Sequence, residues 1–146
     1  METLIVFDST YGNTEKIAKA IYDTFTGEVM VIRAGIANPA QLEAIDLLVV
    51  GSPTYGGKPT PAVQEFLDKI PELTIKGKKV AAFDTRYSTR MVKIFGFAAD
   101  KISDSLKAKG ATIISFPTGF FVKGKKGPLK EGEIERAAGW AEELTR

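Results

Sequence analysis

Short apolar runs alternate with helical patterns along a chain of 146 residues. The runs cover residues 4–7, 29–32, 47–50, 80–83 and 112–121. Nearly continuous Val, Ile, Leu and Phe are typical of strands that a parallel sheet buries on both faces. Between the runs, apolar residues recur at helical spacing, as at Val63, Phe66, Leu67 and Ile70. The pattern predicts one domain, an α/β fold with a doubly wound five-stranded parallel sheet, strand order 2-1-3-4-5 and helices on both faces.

The composition excludes several kinds of chemistry. The chain has no Cys and no His, so it has no disulfide, no thiolate nucleophile and no Ser-His-Asp triad. Any redox chemistry must therefore come from a bound organic cofactor. No apolar run approaches the roughly 20 residues of a membrane helix, and the N-terminus does not resemble a signal peptide. We expect a cytoplasmic protein with no membrane partner.

Charge is spread unevenly along the sequence. Residues 74–146 contain 15 Lys and Arg against 8 Asp and Glu, an excess of +7. Two interpretations are open: solvated helix faces, or a basic docking face that steers an acidic partner. The residues of that second interpretation are Lys76, Lys78, Lys79, Arg86, Arg90, Lys93, Lys123, Lys125 and Lys126. Since no aromatic-basic module accompanies the charge, we expect no nucleic-acid partner.

The loop after the first apolar run is rich in polar side chains and precedes a helical pattern. It consists of Ser9, Thr10, Tyr11, Gly12, Asn13 and Thr14. A loop at a helix N-terminus favours an anion, most often a phosphate. The lysine of a nucleoside triphosphate loop and the three glycines of a dinucleotide loop are both missing. The loop therefore suits a single terminal phosphate held by neutral donors.

Two further loops follow the third and fourth runs, at residues 51–59 and 84–90. In a doubly wound sheet, all three loops converge at the switch point beyond the carboxyl ends of the strands. The candidate ligand-binding residues of these two loops are Pro53, Thr54, Tyr55, Gly56, Gly57, Asp84, Thr85, Arg86 and Tyr87. Glycines beside an aromatic residue allow the backbone to approach a flat ligand closely.

Residues 5–21 (IVFDSTYGNTEKIAKAI) resemble the flavodoxin signature at every fixed position, and Pro53 to Gly57 resemble the second flavin loop of that family. The uninterrupted run at residues 112–121 resembles the short-chain members. The resemblance implies a flavodoxin-like fold and FMN as cofactor, with its phosphate in the loop from Ser9 to Thr14.

The resemblance also implies roles in the other two loops. Tyr55 stacks on or borders the flavin, and Gly56 and Gly57 face flavin N5. The third loop is less typical, and Tyr87 is its candidate stacking residue, with the backbone of Asp84 and Thr85 at the pyrimidine edge. A cation near the flavin, Arg86 or Lys58, predicts a less negative second reduction potential than in acidic flavodoxins.

The resemblance implies a low-potential electron carrier rather than a stand-alone enzyme. Its partners would be a redox protein donor and acceptor, of the reductase or ferredoxin type, in transient contact with a rim of Tyr55, Gly56, Lys58 and Tyr87. The alternative is an FMN-dependent NAD(P)H:quinone-type reductase. A phosphorylation receiver is disfavoured, because the third run ends in Gly51-Ser52-Pro53 without the acidic residue such a protein needs.

Overall fold

A computed structural model describes residues 1–87 and 96–146. Labels below number the elements in these two ranges. The strands are β1 (Glu2–Phe7), β2 (Glu28–Arg33), β3 (Leu47–Pro53), β4 (Lys79–Tyr87), β5 (Thr112–Ile113) and β6 (Thr118–Val122). The helices are α1 (Asn13–Thr24), α2 (Pro61–Lys69), α3 (Glu72–Ile75), α4 (Ala98–Ala108) and α5 (Glu133–Leu144). Two short 3₁₀ turns, Ala34–Ile36 and Pro39–Leu42, follow β2.

The strands form one sheet in the order β2-β1-β3-β4-β5, and every pairing is parallel. The predicted fold class and strand order are thus confirmed. The last strand differs from the prediction because it is two segments, β5 and β6, that both pair with β4. Pro117 lies between them and has no N–H to donate to β4. The Ile114 N–H still donates to the Val80 carbonyl at 3.1 Å, and residues 115–117 then leave the ladder before β6 rejoins it.

Helices cover both faces of the sheet, and side chains alternate between two cores. Leu4 and Val6 of β1 face the core that α2 and α4 complete, whereas Ile5 and Phe7 face the core that α1 and α5 complete. This alternation is the period of two that a strand imposes on its side chains. Because both faces are covered, the central strands read as continuous apolar runs.

The β2 edge of the sheet is the exception to this burial. β2 pairs with β1 alone among the described strands, and its residues are mostly exposed. Met30 is 53% and Val31 is 37% exposed. The sheet therefore ends on this side in a short strand that presents apolar side chains to solvent.

The starts of α1 and α2 differ in how they are capped. The Thr60 side chain accepts a hydrogen bond from the Val63 N–H, and Pro61 occupies the first position of α2. Gly12 precedes α1 with a φ of 92° and no side-chain cap. The first turn of α1 thus begins directly at the polar loop after β1.

Candidate functional site

A small cavity of about 30 Å³ lies where the loops after β1 and β3 meet the end of β4. Its lining residues are Ser9, Thr10, Tyr11, Asn13, Thr14, Pro53, Thr54, Tyr55, Thr85, Val122 and Lys125. Nine of these eleven residues are among those selected from the sequence, and they come from three separate loops. The carboxyl ends of parallel strands share one edge of the sheet, which is why residues so distant in sequence converge here.

The loop after β1 is ordered by its own serine. The Ser9 hydroxyl accepts from the Gly12 N–H at 3.1 Å and from the Glu15 N–H at 3.3 Å. The backbone N–H groups of Asn13 and Thr14 donate to no acceptor within the described residues. Unpaired N–H groups in the first turn of a helix are the donors that an anion uses.

A buried pair of hydroxyl groups joins this loop to β4. Thr14 Oγ1 lies 2.7 Å from Thr85 Oγ1, and the two residues are 1% and 5% exposed. Either hydroxyl can donate to the other. The pair fixes the start of α1 against the end of β4, on the face of the sheet that α1 covers.

Arg33, at the end of β2, holds the outer side of the same loop. Its guanidinium donates to the Ser9 carbonyl at 3.2 Å and to a Glu15 carboxylate oxygen at 3.3 Å. It also lies 3.8 Å from an Asp8 carboxylate oxygen and stacks over the Phe7 ring at 5.1 Å. One cation therefore offsets both carboxylates beside the loop, which reduces their repulsion of an anion.

The loop after β3 forms a tight turn at the mouth of the cavity. The backbone groups of Tyr55 and Lys58 exchange two hydrogen bonds of 3.0 Å. Gly56 and Gly57 stand between them with φ of 55° and 77°. Tyr55 is 38% exposed, and the Thr54 N–H donates to the Thr85 carbonyl at 3.0 Å. The turn thus presents an aromatic ring and two glycine peptides beside Thr85.

Asp84 and Arg86 lie on the opposite face of β4 from Thr85, so the structure does not bring them into the cavity. Arg86 donates to the two Asp84 carboxylate oxygens at 2.7 and 2.8 Å, and its guanidinium stacks on the Phe97 ring at 3.5 Å. Neighbouring residues of a strand point to opposite faces, which explains the separation. The expectation of an Arg86 cation beside the flavin therefore disagrees with this geometry, and Lys58 is left as the exposed cation of the second loop.

The Asp84 carboxylate also binds the N-terminus of α4. It accepts from the Ala99 N–H at 2.9 Å, while the Thr54 hydroxyl accepts from the Ala98 N–H at 3.1 Å. Burial raises the pKa of the Asp84 carboxyl, and the Arg86 guanidinium and the Ala99 N–H oppose this rise. The Asp84 carboxylate and the Thr54 hydroxyl thus both bind the N-terminus of α4.

The cavity lining differs from the predicted set of residues at the third loop and after β6. Tyr87 is 44% exposed at the end of β4, beyond the cavity lining, and residues 88–90 of the third loop lie outside the described residues. Val122 and Lys125 line the cavity although they were not selected as cofactor-binding residues. Their signal was weak: a strand end and a short Lys-Gly stretch far from the polar loop in sequence.

The proposed basic docking face is not one surface. Lys78 and Lys79 stand at the start of β4, whereas Lys123, Lys125 and Lys126 follow β6 at the other end of the sheet. A strand of the length of β4 separates its ends by about 26 Å. Lys78 Nζ donates to the Leu42 and Glu43 carbonyls, so that residue supports a turn. Arg90 and Lys93 lie outside the described residues.

Residues 1–87 and 96–146 contain neither a cluster of metal ligands nor a membrane-spanning helix. No group of three or more acidic side chains there is arranged to hold a metal ion. No helix in these ranges is both long enough and apolar enough to cross a bilayer.

The sheet order and the loops gathered at its switch point define a doubly wound α/β protein with the flavodoxin-like fold. Residues 5–140 match the family model for flavodoxin. Flavodoxin 1 of Escherichia coli K12 is 33% identical over 129 residues, which are 86% of this chain and 73% of that protein. An uncharacterised protein of Methanocaldococcus jannaschii is 34% identical over 115 residues, 78% of this chain and 71% of that protein. This chain belongs to the flavodoxin family.

Solved structures agree on the fold. A flavodoxin from the domain Archaea superposes with a TM-score of 0.81 at 22% identity and covers 100% of both chains. Oxidised flavodoxin 2 from Bacillus cereus has a TM-score of 0.81 at 25% identity, over 99% of this chain and 98% of that one. Membership of this family confirms the predicted class, an electron-transfer flavoprotein. The comparisons give no support to the quinone reductase alternative.

Proposed function

We propose that this chain binds FMN at the cavity between its first two loops and carries electrons between a protein donor and a protein acceptor. One observation supports the proposal above the others: residues of three separate loops converge on one cavity at the switch point of the sheet, among them Ser9, Thr10, Tyr11, Asn13, Thr14, Thr54, Tyr55 and Thr85. When bound, FMN would supply the electron-carrying chemistry, since the chain has neither Cys nor His.

The donor set fits the phosphate end of this cofactor. The cavity wall from the first loop offers the hydroxyls of Ser9, Thr10 and Thr14 and the amide of Asn13. The unpaired N–H groups of Asn13 and Thr14 add the favourable end of the α1 dipole. These groups would hold the phosphate and orient the cofactor toward the second loop.

The second loop fits the flavin end. Tyr55 would lie against the ring system, and the peptides of Gly56 and Gly57 would face its edge. Tyr87, exposed at the end of β4, is the second candidate for stacking. The buried Asp84–Arg86 pair would act indirectly, because it binds the α4 N-terminus together with Thr54 of the second loop.

The charge around the site favours a partner with an acidic surface. The carboxylates nearest the loops are paired: Asp8 and Glu15 with Arg33, and Asp84 with Arg86. Lys58 and Lys126 are exposed and form no ion pair within the described residues. The uncompensated charge at this edge is therefore positive, which would speed the approach of an acidic reductase or ferredoxin-type protein.

The test begins with the purified full chain. Its visible spectrum should show flavin bands, or acquire them when FMN is added, with saturation at one FMN per chain. A colourless protein that cannot be loaded with FMN would refute the proposal. The reductase alternative is tested separately by NAD(P)H oxidation with a quinone, and rapid turnover without any partner protein would favour that alternative.

The partner is tested by stopped-flow reduction with candidate redox proteins. The association rate with an acidic partner should fall as salt is raised, because surface charges are screened within about 10 Å at 0.1 M salt. Lys58→Glu should lower that rate by about three- to tenfold at low salt. Lys69→Glu is the control. Lys69 pairs with Glu65 on α2, and α2 packs on the face of the sheet opposite α1. Equal effects of the two substitutions would contradict docking at the rim.

A further inference from the structure

The segment after β6 forms a short hairpin that reaches the phosphate loop. The Lys123 N–H donates to the Pro128 carbonyl at 2.8 Å, and the Gly127 N–H donates to the Gly124 carbonyl at 3.0 Å. Val122 pairs with Leu129 in an antiparallel bridge. We call residues 122–129 the basic hairpin. Its own hydrogen bonds give it a defined shape.

Asn13 fastens the basic hairpin to the start of α1. The Asn13 side-chain amide donates to the Lys126 carbonyl at 3.2 Å, and Asn13 is only 8% exposed. Gly127 has a φ of 100°, and a Cβ atom there would lie 2.6 Å from Asn13 Oδ1, so a larger residue would displace the Asn13 side chain. The hairpin tip is therefore held beside the first turn of the helix whose N–H groups are unpaired.

Lys125 stands at the tip of this hairpin and lines the cavity. It is the one charged residue among the eleven that form the lining. Within the described residues it forms no ion pair, whereas Lys123, two residues earlier, lies 3.9 Å from Glu131. A single cation among neutral hydroxyls and amides marks the place where the site prefers negative charge.

We propose that Lys125 is a specificity-determining residue that pairs with the phosphate dianion and makes this site select FMN over riboflavin. The inference rests on the proposed function and adds a cation to a donor set that is otherwise neutral. A lysine supplies a compact charge on a flexible stem, which suits a phosphate that enters through an open mouth. Neutral hydroxyls alone would bind the phosphate without compensating its charge.

The experiment compares Lys125→Met with Lys123→Met and Lys126→Met in the full chain freed of flavin. The three variants remove the same charge from the same hairpin, and Lys126→Met retains the carbonyl that Asn13 binds. Dissociation constants for FMN and for riboflavin are measured by fluorescence titration. We expect Lys125→Met to weaken FMN binding about tenfold, the effect of one charged hydrogen bond, and riboflavin binding less than about twofold. The two control variants should change either constant less than about twofold.

Salt provides a second readout that a structural role would not change. The affinity of the wild-type chain for FMN should fall between low and high salt, and Lys125→Met should flatten this dependence. Lys125→Arg should restore most of the affinity and the salt dependence, because it restores the charge.

The outcomes separate this inference from the proposed function. If Lys125→Met weakens FMN and riboflavin equally, the residue supports the hairpin and does not recognise phosphate, and the inference is overturned. The inference is also overturned if Lys126→Met weakens FMN binding as much as Lys125→Met does while leaving riboflavin binding unchanged. A wild-type chain that binds neither flavin overturns the proposed function and this inference together, whereas tight FMN binding by Lys125→Met overturns the inference alone.

Discussion

Replacing Thr85 with Val should destabilise the protein because it leaves the buried Thr14 hydroxyl without a hydrogen-bond partner. The Thr14 and Thr85 hydroxyls lie 2.7 Å apart and are both buried, and Thr14 makes no other side-chain hydrogen bond within the described residues. Removing one hydroxyl of such a pair leaves the other buried and unpaired, which costs about 1–3 kcal/mol. In a domain of this size, that loss corresponds to a fall in melting temperature of about 3–10 °C.

The double variant distinguishes this mechanism from a simple loss of packing. Thr14→Val with Thr85→Val removes both polar groups and keeps the shape of both side chains. Its free energy of unfolding should therefore fall no further than that of either single variant, which gives a coupling energy of about 1–3 kcal/mol in magnitude. The assay is urea denaturation of the four chains without flavin, followed by circular dichroism.

Thr3→Val is the matched control. Thr3 Oγ1 is buried and has no hydrogen-bond partner within the described residues. The same substitution at this position should leave the protein equally stable or stabilise it by up to about 1 kcal/mol. The reasoning is refuted if the two single losses at Thr14 and Thr85 add in the double variant, or if Thr3→Val is as damaging as Thr85→Val.

Two further predictions concern the rest of the fold. The Arg136 hydrogen bond lowers the pKa of Glu133, so its stabilisation is complete above the ordinary glutamate pKa of about 4.3 and is lost as the pH falls through the lower folded value. Glu133→Gln should therefore flatten the stability profile below about pH 4.5, as acid titrations of unfolding would detect, and an unchanged profile would contradict this assignment. Gly119→Ala places a Cβ 2.0 Å from Arg86 Nε and should destabilise by about 1–3 kcal/mol in urea. Gly139→Ala, in α5 with open space around it, should stabilise by about 0.5–1 kcal/mol, and a loss at both glycines would show that crowding is not the cause.

The central strands could be predicted because their environment is uniform. β1, β3 and β4 are buried on both faces, so an apolar run is by itself sufficient evidence for each. The loop from Ser9 to Thr14 could also be predicted from the sequence, because its residues are contiguous and lie before a helix. Pro117 indicated the break between β5 and β6, but the apolar residues around it made the run read as one strand.

Side-chain direction and distant contacts were harder to predict. Side chains alternate along β4, so Arg86 shares a face with Asp84 and lies opposite Thr85. Treating residues 84–90 as a loop left this alternation out of account. The arrival of Lys125 at the cavity depends on the contact between Asn13 and Lys126, which are 113 residues apart. A pattern read over a few residues contains no information about such a contact.

The exposed edge at β2 affects how all of these variants would behave in solution. A strand with an open row of backbone donors and acceptors can pair with the same strand of another molecule. Here the apolar stretch from Val29 to Ile32 has only Glu28 and Arg33 at its ends as charged protection. Chains that open on heating can pair with one another at this edge, so the more destabilised variants should aggregate faster in thermal melts. A charged residue in place of Val31, which is already partly solvent-exposed, would keep the folded state unchanged and slow that aggregation.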